Sequence, residues 1–248
     1  MSVESRLDTY LMSANRDKLK IAIVGTGWIS RPHIHGLISL NHIDPLKREI
    51  ELTSLHSRTA ETTKAMADDF GFKGWTTRWE DAIEDDSIEV IGVLTANKLH
   101  YEVAKAAIAA GKTVMVEKPL TEDSKTSWEL AELGKSKNAL AATAFNYRFL
   151  SATRAMWDLY QSGDLGDLHH FRANYLQDWA MQNTSKEVVR SHAASVQDYS
   201  HIIDHMLRFA GMPTSIAANM TSFGTSPDDD AFSATMKFAN GEIGRAHV

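Results

Sequence analysis

Six consecutive residues, Gly25-Thr26-Gly27-Trp28-Ile29-Ser30, have the types and spacing to hold a phosphate. In G-x-G-x-x-S the first glycine permits a tight turn, and the second lets the main chain approach a pyrophosphate. A helix opening there offers unpaired N–H groups and the positive end of its dipole to the anion. Ser30 stands where a third glycine is usual and is small enough for close helix–strand packing. By itself the pattern also fits a glycine turn in any α/β fold. Its flanks favour the phosphate site: the β-branched run Lys20–Val24 precedes it and a helical stretch, Trp28–Leu40, follows.

A dinucleotide seated there has its adenosine ribose read at the end of the second strand. An acid suits the 2′-hydroxyl of NAD, and an arginine nearby suits the 2′-phosphate of NADP. The strand Ile50–His56 leads into Ser57-Arg58-Thr59 with no acid at its tip. Ser57 donates one hydrogen bond and Arg58 forks onto phosphate oxygens, so NADP is the expected cofactor, with NAD still possible. Arg58 as a plain solvated loop residue is the competing reading.

These residues need a scaffold, and the chain supplies a strand–helix alternation. After the first strand and helix come Ile50–His56, a helix over Thr59–Phe70 stopped by Gly71, and a short helix over Trp79–Ile83. Val90–Leu94, an Ala-rich helix over Leu99–Ala110 and Thr113–Val116 continue the series. The alternation predicts βαβ crossovers and an open parallel sheet, a Rossmann domain over residues 1–120. Past Pro119 the rhythm changes. Helices at Asp123–Ser136, Leu150–Gln161 and Ser195–Phe209 mix with strands at Ala139–Phe145, Leu168–Trp179, Ser215–Ser222 and Ala231–Phe238. Residues 121–248 are therefore expected to form an α+β substrate domain with an open, mostly antiparallel sheet.

Composition closes off other classes. The 248 residues carry a net charge of -6 with no basic stripe, which disfavours nucleic acid. The absence of cysteine removes thiolate chemistry and leans towards a reducing cytoplasm. No apolar run reaches the length of a membrane span. The histidines form no compact ligand set, so no metal is expected; His169 and His170 should fall on opposite strand faces.

Glu117-Lys118-Pro119, after Val114-Met115-Val116, closely resembles the signature of the glucose–fructose oxidoreductase / inositol dehydrogenase / rhizopine catabolism (Gfo/Idh/MocA) family. Asn97 with His100, Phe145-Asn146-Tyr147-Arg148 and Gly163-Asp164-Leu165-Gly166 add to the resemblance. Tyr175-Leu176-Gln177-Asp178-Trp179 looks like members acting on sugars and anhydrosugars. The resemblance implies reversible hydride transfer between a nicotinamide and a secondary alcohol of a sugar or polyol, with oligomers formed through the second sheet. Elementary chemistry agrees, since a lysine at the carboxyl end of a parallel strand sits at the ligand crevice. Lys118 is thus the expected acid/base group, with a salt bridge to Glu117 as its structural alternative. Gly25, Thr26, Gly27, Trp28, Ile29, Ser57, Arg58, Asn97, His100, Glu117 and Lys118 are expected around the cofactor. The family's Asp-x-Gly-x-His-x-x-Asp helix corresponds to Gln197-Asp198-Tyr199-Ser200-His201-Ile202-Ile203-Asp204. His201 and Asp204 match, while Gln197 and Tyr199 depart. Asp198, three residues before His201, is expected to substitute on nearly the same helix face, and Asp204 to orient His201 or pack. His201, Arg148 and Trp179 are expected to face substrate.

The sequence ends at Phe238–Val248 in what reads as mid-strand. Relatives continue with further strands, so the domain is expected to be shortened, or its edge covered by a partner subunit. An NAD(P)-binding sensor without turnover is the rival to the dehydrogenase, and a sheet-based assembly protein is a third reading.

Overall fold

The computed structural model describes residues 17–43, 48–176, 200–222, 231–239 and 243–247. They fall into two compact units, the first ending at Thr143 and the second starting at Ala144. In the first unit the elements run β1 (Lys18–Val24), α1 (Ser30–Ile43), β2 (Glu49–His56), α2 (Ala60–Phe70), β3 (Gly74–Thr76), α3 (Glu80–Glu84) and β4 (Val90–Val93). A single 3-10 turn, Asn97–Leu99, leads into α4 (His100–Ala109), followed by β5 (Thr113–Val116), α5 (Ser124–Ser136) and β6 (Ala141–Thr143).

The six strands lie in the order β3-β2-β1-β4-β5-β6, and every neighbouring pair is parallel. β1 over Ile21–Val24 and β4 over Ile91–Val93 are buried on both faces, which is why they read as apolar runs without alternation. Along β1, Ile21 and Ile23 pack with Ile34 of α1 and Met66 and Ala67 of α2. Ala22 and Val24 pack on the other face with Val103 and Ala104 of α4 and Leu130 of α5. Gly71 ends α2 in the left-handed conformation, φ 74°, with its N–H returned to Asp68 O.

The boundary expected after residue 120 lies later. β6 pairs in register with β5 and α5 contributes Leu130 to the core of the first sheet, so both belong to the first unit. β3, three residues long, carries too short a pattern to be seen in the sequence, yet it extends the sheet beyond β2.

The second unit contains a 3-10 turn at Asn146–Phe149, α6 (Ser151–Gln161), β7 (His170–Asn174), α7 (Ser200–Ala210), β8 (Pro213–Thr221), β9 (Ala231–Phe238) and β10 (Ile243–His247). Its sheet has the order β7-β10-β9-β8, with β7 and β10 parallel and the other two pairs antiparallel. Strand β9 alternates buried and accessible residues as a sheet with one covered face requires. Phe232, Ala234, Met236 and Phe238 meet Ile202 and Met206 of α7. β7 is shorter than the strand expected over Leu168–Trp179, of which residues 177–179 lie outside the described part. Residues 195–199 of the expected helix do so too. Among the described residues, no helix is long and apolar enough to cross a membrane.

The tips of β2 and β3 are joined by a buried histidine. His56 Nδ1 lies 2.8 Å from Arg78 O and donates to it, which leaves Nε2 to accept from Ser54 Oγ at 2.8 Å. Burial pushes the pKa of His56 below the ordinary histidine value of 6.5, against the pull of the Arg78 carbonyl. Below that ordinary value the unfolded chain takes up a proton that the folded chain refuses, so this contribution to stability is full above 6.5 and is lost as pH falls. Urea midpoints should therefore drop between about pH 7 and about pH 5, and less so in His56→Asn, which retains an amide donor for Arg78 O. Equal drops in both proteins would remove His56 as the cause.

Candidate functional site

Parallel strands bring their carboxyl ends to one edge of the sheet, and the candidate residues follow β1, β2, β4 and β5 at that edge. Gly25 has φ 120°, and a Cβ there would stand 2.2 Å from Leu94 O, so only glycine lets the turn after β1 pass beneath the turn after β4. Its N–H donates to His56 O at 2.8 Å and its carbonyl accepts from Ser30 Oγ at 3.0 Å. Ser30 is fully buried. The residue in the third glycine's place thus closes the turn by a hydrogen bond as well as by being small.

At Gly27 the position of a Cβ faces open space, with no atom within 4 Å, and the first turn of α1 carries no acid. Room against the main chain and a helix N-terminus without a competing carboxylate are what a diphosphate needs. These residues fit the group. Trp28, 82% exposed, stands at the rim of the same turn, while Ile29 packs into the core. Thr26 Oγ1 donates to Ser57 Oγ at 2.9 Å, tying the glycine turn to the end of β2. Arg58 follows, exposed, at the expected adenosine end.

Beyond β5 the main chain is braced from two sides. Glu117 is 6% exposed; its Oε1 accepts from His33 Nε2 at 2.8 Å and its Oε2 accepts from the Lys118 amide at 2.8 Å. His100 has no exposed surface, with Nδ1 2.8 Å from Pro119 O and Nε2 3.1 Å from Thr95 O. Both ring nitrogens of His100 and both carboxylate oxygens of Glu117 face protein groups, and the two residues shape the loop that carries Lys118. Lys118 is half-buried at the tip of β5, and Asn97 is half-buried in the turn after β4. His33 gave no signal in the sequence, because it lies 84 residues from its partner.

The second unit holds a separate polar cluster. His201 is buried on α7, its ring stacked on Tyr147 at 4.1 Å and 4° and edged by Phe145 at 6.0 Å. Tyr147 Oη lies 2.9 Å from Tyr175 Oη. Asp204 accepts from Arg148 Nε at 2.7 Å and from Arg148 Nη2, so it orients Arg148 and not His201. That carboxylate raises the pKa of the Arg148 guanidinium further. Burial lowers the pKa of the neighbouring His205. Arg148 spends two donor nitrogens on Asp204, which narrows its expected part in substrate contact. Trp179 and Asp198, expected at substrate and at the proton-transfer step, lie outside the described residues. No group of three or more potential metal ligands occurs among the described residues.

A six-stranded parallel sheet with a glycine turn and an open helix N-terminus at its first strand defines the nicotinamide-dinucleotide-binding Rossmann class. Residues 19–145 match the oxidoreductase family with an NAD-binding Rossmann fold, and residues 153–248 match the Gfo/Idh/MocA C-terminal domain. The chain belongs to the Gfo/Idh/MocA oxidoreductase family. It is 29% identical over 205 residues to levoglucosan dehydrogenase of Pseudarthrobacter phenanthrenivorans, covering 71% of this chain and 53% of that protein. It is 29% identical over 206 residues to scyllo-inositol 2-dehydrogenase (NADP(+)) of Bacillus subtilis, covering 82% and 55%. The solved complex of levoglucosan dehydrogenase with NADH and levoglucosan superposes with a TM-score of 0.88 at 27% identity, over 93% of this chain and 66% of that one. The chain thus spans about half the length of the curated relatives it matches.

The Gly25 geometry yields a direct test. Gly25→Ala places a methyl against Leu94 O in a backbone conformation hostile to side chains, and should cost about 2–4 kcal/mol in denaturant unfolding. A variant as stable as the parent chain would mean the turn is looser than described.

Proposed function

We propose that the protein is an NAD(P)-dependent oxidoreductase that moves a hydride between the nicotinamide and a secondary alcohol of a sugar or polyol. One observation carries the reading: within a single parallel sheet, the glycine turn after β1 and Lys118 after β5 share the carboxyl edge, with only β4 between their strands. Ligands of open α/β sheets bind at that edge, beside the strand where the order reverses. The main chain of Gly25–Ile29 would hold the diphosphate, and Ser57 with Arg58 the adenosine ribose. When bound, the nicotinamide supplies or receives the hydride. Lys118 handles the proton: its amine takes the hydroxyl hydrogen as the alcohol carbon is oxidised, and returns it on reduction.

Sugars and cyclic polyols are favoured as substrates because the relatives named above act on levoglucosan and scyllo-inositol. Within the second unit, His201 is the proposed substrate-hydroxyl contact and Arg148, held by Asp204, a support to it. The absence of an acid after β2 favours NADP over NAD. Cytoplasmic action belongs to the same reading. So does self-association through the edge strand β8, whose residues are nearly all exposed; a monomeric mass in light scattering removes that part.

Nicotinamide absorbance, followed while a panel of sugars and polyols is offered, tests the activity. Lys118→Met should retain cofactor affinity and lose turnover by about 100-fold or more; undiminished turnover rejects its role. Cofactor binding with no turnover on any substrate favours the sensor instead. Arg58→Ala should weaken NADP by about tenfold while leaving NAD unchanged, as befits one charge-assisted contact to phosphate. Equal losses for both cofactors, measured by titration calorimetry, would show that Arg58 does not read the 2′-phosphate.

A further inference from the structure

Among the buried polar groups of the first unit, one carboxylate joins two places that the proposed chemistry must keep in register. We propose that His33 is a positioning residue: through Glu117 it ties the helix that receives the cofactor diphosphate to the main chain of Lys118. The proposal rests on the cofactor reading above.

The link is continuous through named contacts. The glycine turn is bound to the start of α1 by Ser30 Oγ on Gly25 O, at 3.0 Å. One turn further along α1, three residues after Ser30, His33 Nε2 meets Glu117 Oε1 at 2.8 Å. The other oxygen of the same carboxylate accepts the Lys118 N–H at 2.8 Å, and the Glu117 N–H is held by Val93 O at 2.9 Å. A carboxylate, having no hydrogen of its own, faces donors only, so Nε2 carries the hydrogen. At 6% exposure Glu117 has little access to water that could replace a lost donor. A buried carboxylate deprived of one of two donors either moves to recover one or remains under-solvated at considerable cost. Either way, removing the His33 donor disturbs the Oε2 bond that fixes the Lys118 amide.

The coupling has a direction that can be read. A ligand that immobilises the Gly25–Ile29 turn also immobilises α1, and with it the His33–Glu117–Lys118 chain of bonds. Cofactor binding should then protect an amide that the diphosphate does not touch. His33 is half-buried with its ring 84 residues away in sequence from Glu117, so its bond is a long-range brace and not part of the helix's own ladder.

The test uses the whole chain labelled with [15N]lysine, the Lys118 amide being assigned by its loss in Lys118→Arg. Exchange of that amide is measured with and without NADH or NADPH, alongside cofactor affinity from nicotinamide fluorescence and unfolding in urea. In the parent chain, cofactor should slow Lys118 amide exchange by about tenfold or more. His33→Leu should bind cofactor but lose that slowing, and His33→Gln, which restores an N–H donor of similar reach, should recover it. A purely structural role for His33 predicts instead a lower unfolding midpoint with cofactor-dependent slowing intact, and that result overturns the proposal. Glu117→Gln covers the case in which His33→Leu fails to fold. With a single good acceptor for two donors, it should show the same loss of slowing, and unchanged slowing in it overturns the proposal equally. Absence of cofactor binding by the parent chain refutes the cofactor reading and the coupling together. Binding with unaltered Lys118 protection in both His33→Leu and Glu117→Gln refutes the coupling alone.

Discussion

A parallel sheet buried on both faces has no freedom about where its loops go. Each strand of the first unit runs the same way, each of β1 to β5 is followed by a helix that must return along a face, and so the turns after β1, β2, β4 and β5 crowd one edge. The main-chain contact between Gly25 and Leu94, which admits not even a methyl group, shows how tightly they crowd. The glycine turn, the Ser57–Arg58 loop and a strand-end lysine arrive together because the sheet allows no other arrangement.

Crowded turns bring polar main chain into places that water does not reach, and each such group needs a partner. Side chains supply them. Ser30 closes the glycine turn, His56 joins the ends of β2 and β3, and His100 spans Thr95 O and Pro119 O. Glu117 gathers His33 and the Lys118 amide. Three histidines in this unit therefore act as internal struts between loops, and the residues left open at the rim, Trp28, Arg58 and Gly27 among them, are the ones available to a ligand.

The second unit solves a smaller problem by other means. Its four-stranded sheet covers one face with α7, whose Met206 and Ile202 fill the core, while Asp204 on the same helix captures Arg148. The flat stack of Tyr147 on His201 fixes the imidazole plane.

Local signals were strong where they were periodic. Lys20–Val24 before Gly25, Gly71 after Phe70 and Val114–Val116 before Glu117 could be read as strand, helix stop and strand because hydrophobic period and glycine geometry act over a few residues. The parallel α/β architecture and the glycine turn were legible on that basis. The three-residue strand β3 was not, and β6, readable as a strand, could not be assigned to the first sheet, since a strand's place in a sheet depends on neighbours and not on its own pattern. Nor were the partners of the buried polar groups. His100 and Glu117 brace the loops around them, Asp204 pairs with Arg148, and His33 went unnoticed. Such choices are made across 19 to 84 residues by whichever donor and acceptor the packed core leaves facing each other without water, a condition that exists only once the chain has folded.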